Sequence, residues 1–140
     1  MKNLIKYEAM VLSCMDPRFQ KPVFNYLKKR KLSGKYSAFT IAGGAIGVTH
    51  LKFKKWLPVF LDNLSTSIKL HKINKLIVIN HFDCGAAKMT KKMLLNKSEE
   101  INIHTNSFKK LKNVLKRKFP HIKTEFFIFL LNKKIKKINI

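Results

Sequence analysis

The sequence predicts an α/β fold: a single domain spanning residues 1–140, with a mostly parallel β-sheet flanked by helices. First, 140 residues with 46% apolar side chains are enough to bury one hydrophobic core. Second, strand-like segments alternate with segments of helical periodicity, which favours parallel strands joined by right-handed crossovers. Third, Lys75–Asn80 contains an unbroken apolar run, as expected for a strand buried on both faces.

The first half of the chain supplies two strands and two helices to this prediction. The predicted strands are the short, mostly apolar segments Glu8–Cys14 and Tyr36–Ile41. The helices each have a proline in the first turn, and they run from Pro22 to about Leu32 and from Pro58 to about His71. The glycine-rich segment "AGGAIG" ends the second strand.

The second half continues the alternation. Its predicted strands are Lys75–Asn80, the segment "EFFIFLL" at 125–131 and the lysine-rich edge segment "KIKKINI" at 134–140. Its predicted helices run from about Ala86 to Leu95 and from Ser107, as the N-cap, to about Lys118. Residues 96–106 show no clear periodicity.

The net charge of +23 comes from 30 lysines and arginines against 7 acidic residues. Such an excess is typical of nucleic-acid-binding proteins. Here, however, the basic residues are almost all lysines spread along the whole chain and not interleaved with exposed aromatic residues. We therefore interpret them as solvated faces and expect nucleic acid to bind only through non-specific charge.

The N-terminal segment does not predict secretion or membrane insertion. No apolar run approaches the roughly 18 to 20 residues of a membrane helix. The segment "VLSC" resembles a lipoprotein cleavage site, but Lys6 and Glu8 interrupt the apolar stretch that such a signal needs. We expect a cytoplasmic protein without a membrane partner, in which metal binding or catalysis suits the two cysteines better than a disulfide.

Two predicted strands end in residues that can bind a metal. Cys14 ends the first strand, while His81 and Cys84 follow the strand at 75–80. If these strands are neighbours, two thiolates and an imidazole meet at one edge of the sheet, and this donor set suits a tetrahedral Zn²⁺ with one open position. The alternative is two buried cysteines and a histidine that is hydrogen-bonded within the core.

Other residues near these strand ends have predicted supporting roles. Asp83 is expected to order the turn through backbone hydrogen bonds, or else to support the ligands around the metal. Gly85 is expected to let the backbone approach the metal without a Cβ clash. His50 and His104 are placed in loops, where solvated side chains are the default.

The combined motifs resemble those of the β-class carbonic anhydrases. They are Cys-x-Asp-x-Arg at 14–18, His-x-x-Cys-Gly at 81–85 and the loop "FTIAGGA" at 39–45. The resemblance extends from about Ala9 to Leu131. It departs from the family at Thr40 and Ile41, where the family usually has arginine and asparagine, so the sequence looks like a reduced, divergent member.

This resemblance implies that Cys14, His81 and Cys84 bind Zn²⁺ and that Asp16 and Arg18 are the catalytic pair. The expected reaction is the hydration of CO₂ to bicarbonate by a zinc-bound hydroxide that Asp16 orients while Arg18 holds Asp16 ionised. The resemblance also implies an alternative role for Asp16, as a fourth zinc ligand in a closed, inactive state. Without a metal, Asp16 and Arg18 would be a surface ion pair in a proline turn.

Further expectations concern substrate and assembly. Gly43 and Gly44 are candidates for substrate binding. A homodimer or higher oligomer is expected because the apolar "FFIFLL" run suggests a surface covered by a second copy. Two alternatives to CO₂ hydration remain: a related hydrolase of carbonyl sulfide or carbon disulfide, and a catalytically inactive zinc-binding domain whose basic surface binds nucleic acid.

Overall fold

Five strands form one sheet in the computed structural model, which describes residues 6–91 and 95–140. The strands are β1 (Ala9–Cys14), β2 (Tyr36–Ile41), β3 (Lys75–His81), β4 (Lys123–Phe129) and β5 (Ile135–Ile138). Their order across the sheet is β2-β1-β3-β4-β5. The first four are parallel and β5 is antiparallel to β4, which confirms the predicted mostly parallel α/β fold.

Helices cover both faces of the sheet. They are α1 (Gln20–Lys29), α2 (Ala45–Thr49), α3 (Trp56–His71), α4 (Gly85–Met89) and α5 (Lys97–Lys118). In β3, Leu76 and Val78 pack with side chains of α3 and α5. Ile77 and Ile79 point to the opposite face of the sheet and pack in the cluster that includes α1. Because neither face of β3 meets water, its sequence is continuously apolar rather than alternating. Within the described residues, no helix is both long and apolar enough to cross a membrane.

Helix α5 begins ten residues before the predicted start at Ser107. Its N-cap is Asn96, whose side chain accepts a hydrogen bond from the backbone N–H of Glu99 at 2.8 Å. Ser107 is buried inside the helix and donates to the carbonyl of His104. The predicted start was wrong because the buried stripe of α5 is polar in its first turns, so that apolar periodicity appears only later.

Three shorter elements also differ from the predictions. α1 ends at Lys29 rather than at about Leu32. α4 ends at Met89 rather than near Leu95, and residues 92–94 of that prediction lie outside the described residues. α2 was not predicted, since a five-residue helix with the sequence "AIGVT" contains glycine and β-branched residues that have low helix propensity.

The apolar run of β4 is buried by the chain itself. Phe126 packs with the α3–α5 side of the sheet, while Phe127 and Phe129 pack with the α1 side. β5 pairs with the free edge of β4, and only Leu131 at the end of the run is largely exposed. The expectation that this run forms a surface for a second copy was therefore wrong.

Candidate metal centre

The carboxyl ends of β1 and β3 bring the two motifs together. These strands are parallel neighbours, with Ser13 opposite Ile79. The ligand atoms of Cys14, His81 and Cys84 consequently lie within 4.8 Å of one another. The three residues are only 8%, 2% and 1% exposed, respectively. This buried cluster could hold a metal ion.

The ring of His81 is oriented for a ligand at Nε2. Its Nδ1 lies 2.7 Å from the carbonyl oxygen of Phe82 and donates to it, which leaves the lone pair on Nε2. The ring also stacks on Phe19, with centroids 4.3 Å apart. Nε2 is buried and has no hydrogen-bond partner among the described residues. A buried nitrogen held in this way and left unpaired fits metal ligation.

The environment of the two cysteines favours negative charge on Cys14 and disfavours it on Cys84. The hydrogen bond from the Cys84 thiol lowers the pKa of Cys14, and the same contact together with burial raises the pKa of Cys84. The backbone N–H of Gly43 also donates to the Cys14 sulfur at 3.2 Å. With the imidazole of His81, the sulfurs make a soft donor set suited to a zinc-like cation, with a fourth position left for another ligand.

The loop that supplies this N–H requires glycine at two positions. Gly43 and Gly44 have φ angles of 78° and 55°. A Cβ at Gly43 would lie 2.7 Å from the Cβ of Ala86, and one at Gly44 would lie 2.7 Å from Oδ1 of Asn80. These glycines therefore allow close packing behind Cys14. Their role in substrate binding stays a prediction.

Asp16 and Arg18 form a close pair beside the cluster. Oδ1 of Asp16 accepts from the backbone N–H and Nε of Arg18 at 2.9 and 3.1 Å, and Oδ2 accepts from Nη2 at 2.8 Å. The hydrogen bonds from Arg18 lower the pKa of Asp16 to about 2. Oδ2 lies 3.7 Å from Nε2 of His81. An ionised carboxylate is thus held next to the unpaired nitrogen.

Arg18 also connects the two motifs across 65 residues of sequence. Its Nη1 donates to Oδ2 of Asp83 at 3.0 Å, and its Nη2 donates to the backbone carbonyl of Asp83 at 2.9 Å. The other carboxylate oxygen of Asp83 contacts Lys88, and this contact, followed by that with Arg18, lowers the pKa of Asp83. The expectation that the Asp83 side chain bonds to the backbone of its turn was wrong, because its carboxylate binds these two cations.

A different carboxylate, Glu100 of α5, orders this turn. Its two oxygens accept from the backbone N–H groups of Asp83 and Cys84, each at 3.1 Å. Burial opposes the charged form of Glu100, but the hydrogen bonds from His104 and from Cys84 outweigh it and lower the pKa of the carboxyl. The turn needs this support because Asp83 adopts a left-handed φ of 59°.

Behind Glu100 lie two further buried polar residues, His104 and Asn80. Nε2 of His104 lies 3.0 Å from Oε2 of Glu100, and Nδ1 lies 2.8 Å from Nδ2 of Asn80. His104 is only 1% exposed and lies within α5, so its predicted place in a solvated loop was wrong. One signal could have identified the set: stepping back from Phe108 by four residues at a time reaches His104 and then Glu100.

Gly85 and His50 have simpler surroundings. Gly85 begins α4, and a Cβ there would meet no described heavy atom within 4 Å. The predicted reason for a glycine at this position, a close approach of the backbone to the metal, stays a prediction. His50 lies between α2 and a short 3₁₀ helix, where its Nδ1 accepts from the backbone N–H of Lys52.

Comparison with known proteins identifies related sequences. A family model described as "Putative carbonic anhydrase" matches residues 5–125. An uncharacterized protein of Rickettsia bellii is 26% identical over 140 residues, which cover 99% of this chain and 85% of that protein. An uncharacterized protein of Rickettsia conorii is 24% identical over 140 residues, which cover 99% of this chain and 75% of that protein.

Solved structures share the fold at much lower identity. A β-carbonic anhydrase of Sordaria macrospora, described as tetrameric, has a TM-score of 0.67 at 11% identity, covering 97% of this chain and 82% of that one. The β-carbonic anhydrase CafA of Aspergillus fumigatus has a TM-score of 0.65 at 11% identity, covering 96% and 76%. The sheet and its helices are therefore those of β-carbonic anhydrases.

Proposed function

The chain belongs to this carbonic anhydrase family, and on that premise we propose that it is a zinc-dependent lyase that reversibly hydrates CO₂ to bicarbonate. The observation that carries the proposal is the unpaired Nε2 of His81, buried between Cys14 and Cys84 and 3.7 Å from the carboxylate of Asp16. A buried imidazole nitrogen without a partner is costly unless a ligand completes it. The family and the donor set both point to a metal as that ligand.

Cys14, His81 and Cys84 would hold the zinc ion. Bound there, zinc would supply Lewis acidity that lowers the pKa of a water molecule and turns it into a nucleophile. The two thiolates offset the charge of the ion, so this effect is weaker than with three imidazoles. We therefore expect the rate of CO₂ hydration to rise toward alkaline pH.

Asp16 would orient the attacking water. With a pKa of about 2, its carboxylate is ionised throughout the neutral and alkaline range and can only accept hydrogen bonds. An acceptor fixed on one side of a water molecule directs the remaining lone pairs of the oxygen toward CO₂. Arg18 holds the carboxylate in place from two directions, through its backbone N–H and through its guanidinium group.

The alternative role of Asp16, as a fourth zinc ligand, requires a rearrangement. Both of its oxygens already accept hydrogen bonds from Arg18. A carboxylate that turned toward the cluster would have to give up some of these charge-assisted bonds. The arrangement seen here therefore favours the orienting role.

We propose that the protein forms an oligomer, but not through the apolar run of β4, which is buried within the chain. The related enzyme of Sordaria macrospora is described as tetrameric. Among the described residues β2 pairs with β1 alone, so it is an edge strand, and it presents Ala38 and Thr40 to solvent. A small, uncharged edge of this kind can accept a second copy. We also propose a cytoplasmic location, and binding of nucleic acid only through non-specific charge.

Metal analysis and stopped-flow CO₂ hydration of the purified protein test the proposal. We expect one zinc per chain, and we expect activity to disappear with a chelator and to return with Zn²⁺. Folded protein without metal would overturn the cofactor. Zinc-loaded protein that does not hydrate CO₂ would overturn the activity, and parallel assays with carbonyl sulfide and carbon disulfide would then show whether one of these is the substrate.

A further inference from the structure

A continuous chain of buried hydrogen bonds links the two halves of the candidate metal centre. It starts at the backbone N–H of Ala45, which donates to Oδ1 of Asn80 at 3.0 Å. Since Oδ1 accepts this bond, the amide group of Asn80 donates through Nδ2 to Nδ1 of His104. His104 then carries its proton on Nε2 and donates it to Glu100. The series of hydrogen bonds ends at Glu100, whose carboxylate accepts from the backbone N–H groups of the turn at Asp83 and Cys84.

Every side chain in this series is buried and has its polar atoms paired. Asn80, His104 and Glu100 are 1%, 1% and 6% exposed. A buried carboxylate is expensive to desolvate and is retained only when its hydrogen bonds compensate. Here both oxygens of Glu100 are used on the segment that carries Cys84, while the far end of the series fixes the loop that carries Gly43.

Each of these two segments holds one of the cysteines. Gly43 donates its N–H to the sulfur of Cys14, and Ala45, two residues later, is anchored by Asn80. Cys84 is anchored directly through its own N–H. The separation between the two sulfurs thus depends on how the Gly43–Ala45 segment and the Asp83–Cys84 turn are held relative to each other.

We propose that Glu100 is a positioning residue that sets the geometry of the metal-ligand turn, and that Asn80 and His104 transmit this constraint to the loop behind Cys14. The inference rests on the proposed metal site but not on the reaction carried out there. It assigns a function to a helix turn that none of the ligand motifs includes. It also explains why a carboxylate and an imidazole occupy the buried stripe of α5.

The test compares the variants Glu100→Gln and Glu99→Gln. Both remove one negative charge from the first turns of α5. Glu99, however, pairs with Lys91 and Asn96 at the surface and does not contact the turn. In Glu100→Gln, one of the two oxygens becomes an NH₂ group that faces a backbone N–H, so one bond to the turn is lost.

The probes are Zn²⁺ and Co²⁺ alone, with Zn²⁺ affinity measured by chelator competition and Co²⁺ geometry by its visible absorption bands. We expect Glu100→Gln to weaken metal affinity roughly 10- to 100-fold, the usual range for residues that orient metal ligands, and to shift the Co²⁺ bands. Glu99→Gln should match the native protein in both measurements. Thermal unfolding of the metal-free proteins separates this effect from a general loss of stability.

His104→Gln keeps the test decisive if Glu100→Gln does not fold. This substitution keeps the hydrogen bonds from the turn to Glu100 and changes only the side chain that donates to Glu100 from behind. We therefore expect metal affinity to fall, but by less than in Glu100→Gln. The inference is overturned if the folded variant, Glu100→Gln or in its absence His104→Gln, binds metal as tightly as Glu99→Gln. Native protein that binds Zn²⁺ but does not hydrate CO₂ would remove the proposed activity and leave this inference standing.

Discussion

Two arginine–carboxylate pairs lie at opposite ends of the same sheet. At the carboxyl ends of β1 and β3, Arg18 binds Asp16. At the amino ends of β3 and β4, Arg30 binds Glu125 at 2.7 Å, and Lys75 lies 3.4 Å from the other oxygen. Both arginines also lie near aromatic rings, Phe19 in one case and Tyr26 in the other. Each site thus combines an arginine, a carboxylate and a nearby aromatic ring, so residue types alone do not distinguish the two sites.

What distinguishes them is the group that each carboxylate faces. Each carboxylate oxygen of Glu125 is paired with a cation, one with Arg30 and the other with Lys75. Asp16 lies beside a buried histidine nitrogen that has no partner in the described chain. The comparison teaches that an ion pair indicates function only when it holds a charge next to an unsatisfied group.

The substitution Cys84→Ser should have the largest effect. Serine keeps the shape of the turn but replaces a soft thiolate by a hydroxyl group that stays protonated at neutral pH. We expect metal affinity to fall by at least about 100-fold, and stability to fall with it because metal binding and folding are coupled. Zinc content after dialysis and thermal unfolding with and without Zn²⁺ are the measurements. Full zinc occupancy in the variant would exclude Cys84 as a ligand.

The substitutions Asp16→Asn and Glu125→Gln compare the two pairs directly. Asp16→Asn should lower the maximal rate of CO₂ hydration by roughly 10²-fold or more, the scale expected for a positioned catalytic group, and leave zinc content nearly unchanged. Glu125→Gln, the matched control at the other end of the sheet, should not change the rate. Equal rates for the two variants would show that Asp16 has no role in the reaction.

Glycine substitutions extend the comparison to the backbone. Gly34, in the turn before β2 at the amino end of the sheet, and Gly44 both have positive φ angles, 74° and 55°. Gly34→Ala meets open space and should cost about 1 kcal/mol, from backbone strain alone. Gly44→Ala also displaces Oδ1 of Asn80, so we expect a loss of about 2–3 kcal/mol in urea denaturation. Similar losses of unfolding free energy in both variants would mean that the side chains behind Cys14 move aside at little energetic cost.

The smallest expected effect is the pH dependence of the Arg30–Glu125 pair. Burial alone would raise the pKa of Glu125, but the hydrogen bond from Arg30 and the positive charges of Arg30 and Lys75 together outweigh it and hold the pKa below the ordinary value of 4.5. A lowered pKa contributes stability that is complete above the ordinary value and is lost as the pH falls through the folded value.

Native protein should therefore exceed Glu125→Gln in unfolding free energy by about 1 kcal/mol at neutral pH. This difference should shrink as the pH falls below the ordinary value of 4.5, because the pKa of the folded state lies lower still. Urea denaturation of both proteins across this range is the measurement. A difference that persists in acid would mean that Glu125 stabilises the protein by packing and not by charge.

The sequence was sufficient for the parts of the fold that depend on local pattern. β1 and β3 are mostly apolar because both faces of each strand are covered, and this pattern can be read directly from the sequence. Their ends are marked by polar residues, so the meeting of Cys14 with His81 and Cys84 followed once the strands were placed side by side. The family motifs at 14–18 and 81–85 led to the same cluster.

The support behind the candidate ligands is not visible in the apolar pattern, and only the four-residue spacing from Phe108 back to His104 and Glu100 points to it. Glu100 and His104 are residue types that usually face solvent, and inward-facing polar residues hide the periodicity of a helix. The tertiary fold decides their direction, because only the complete sheet places α5 behind the ligand turn. Asp83 shows the converse: its position suggested a bond to the backbone, yet a cation 65 residues away determines its contacts.

The long sequence separation between the two cysteines also has a consequence for the order of events on the ribosome. At roughly 5–20 residues per second, translation produces Cys14 about 4–14 s before Cys84, and Glu100 about 1–3 s later still. During that interval a nascent chain carries one ligand thiol without the others. Capture of the proposed metal ion is thus a late step of biosynthesis, and the Cys14 thiol remains open to oxidants until the second half of the chain emerges.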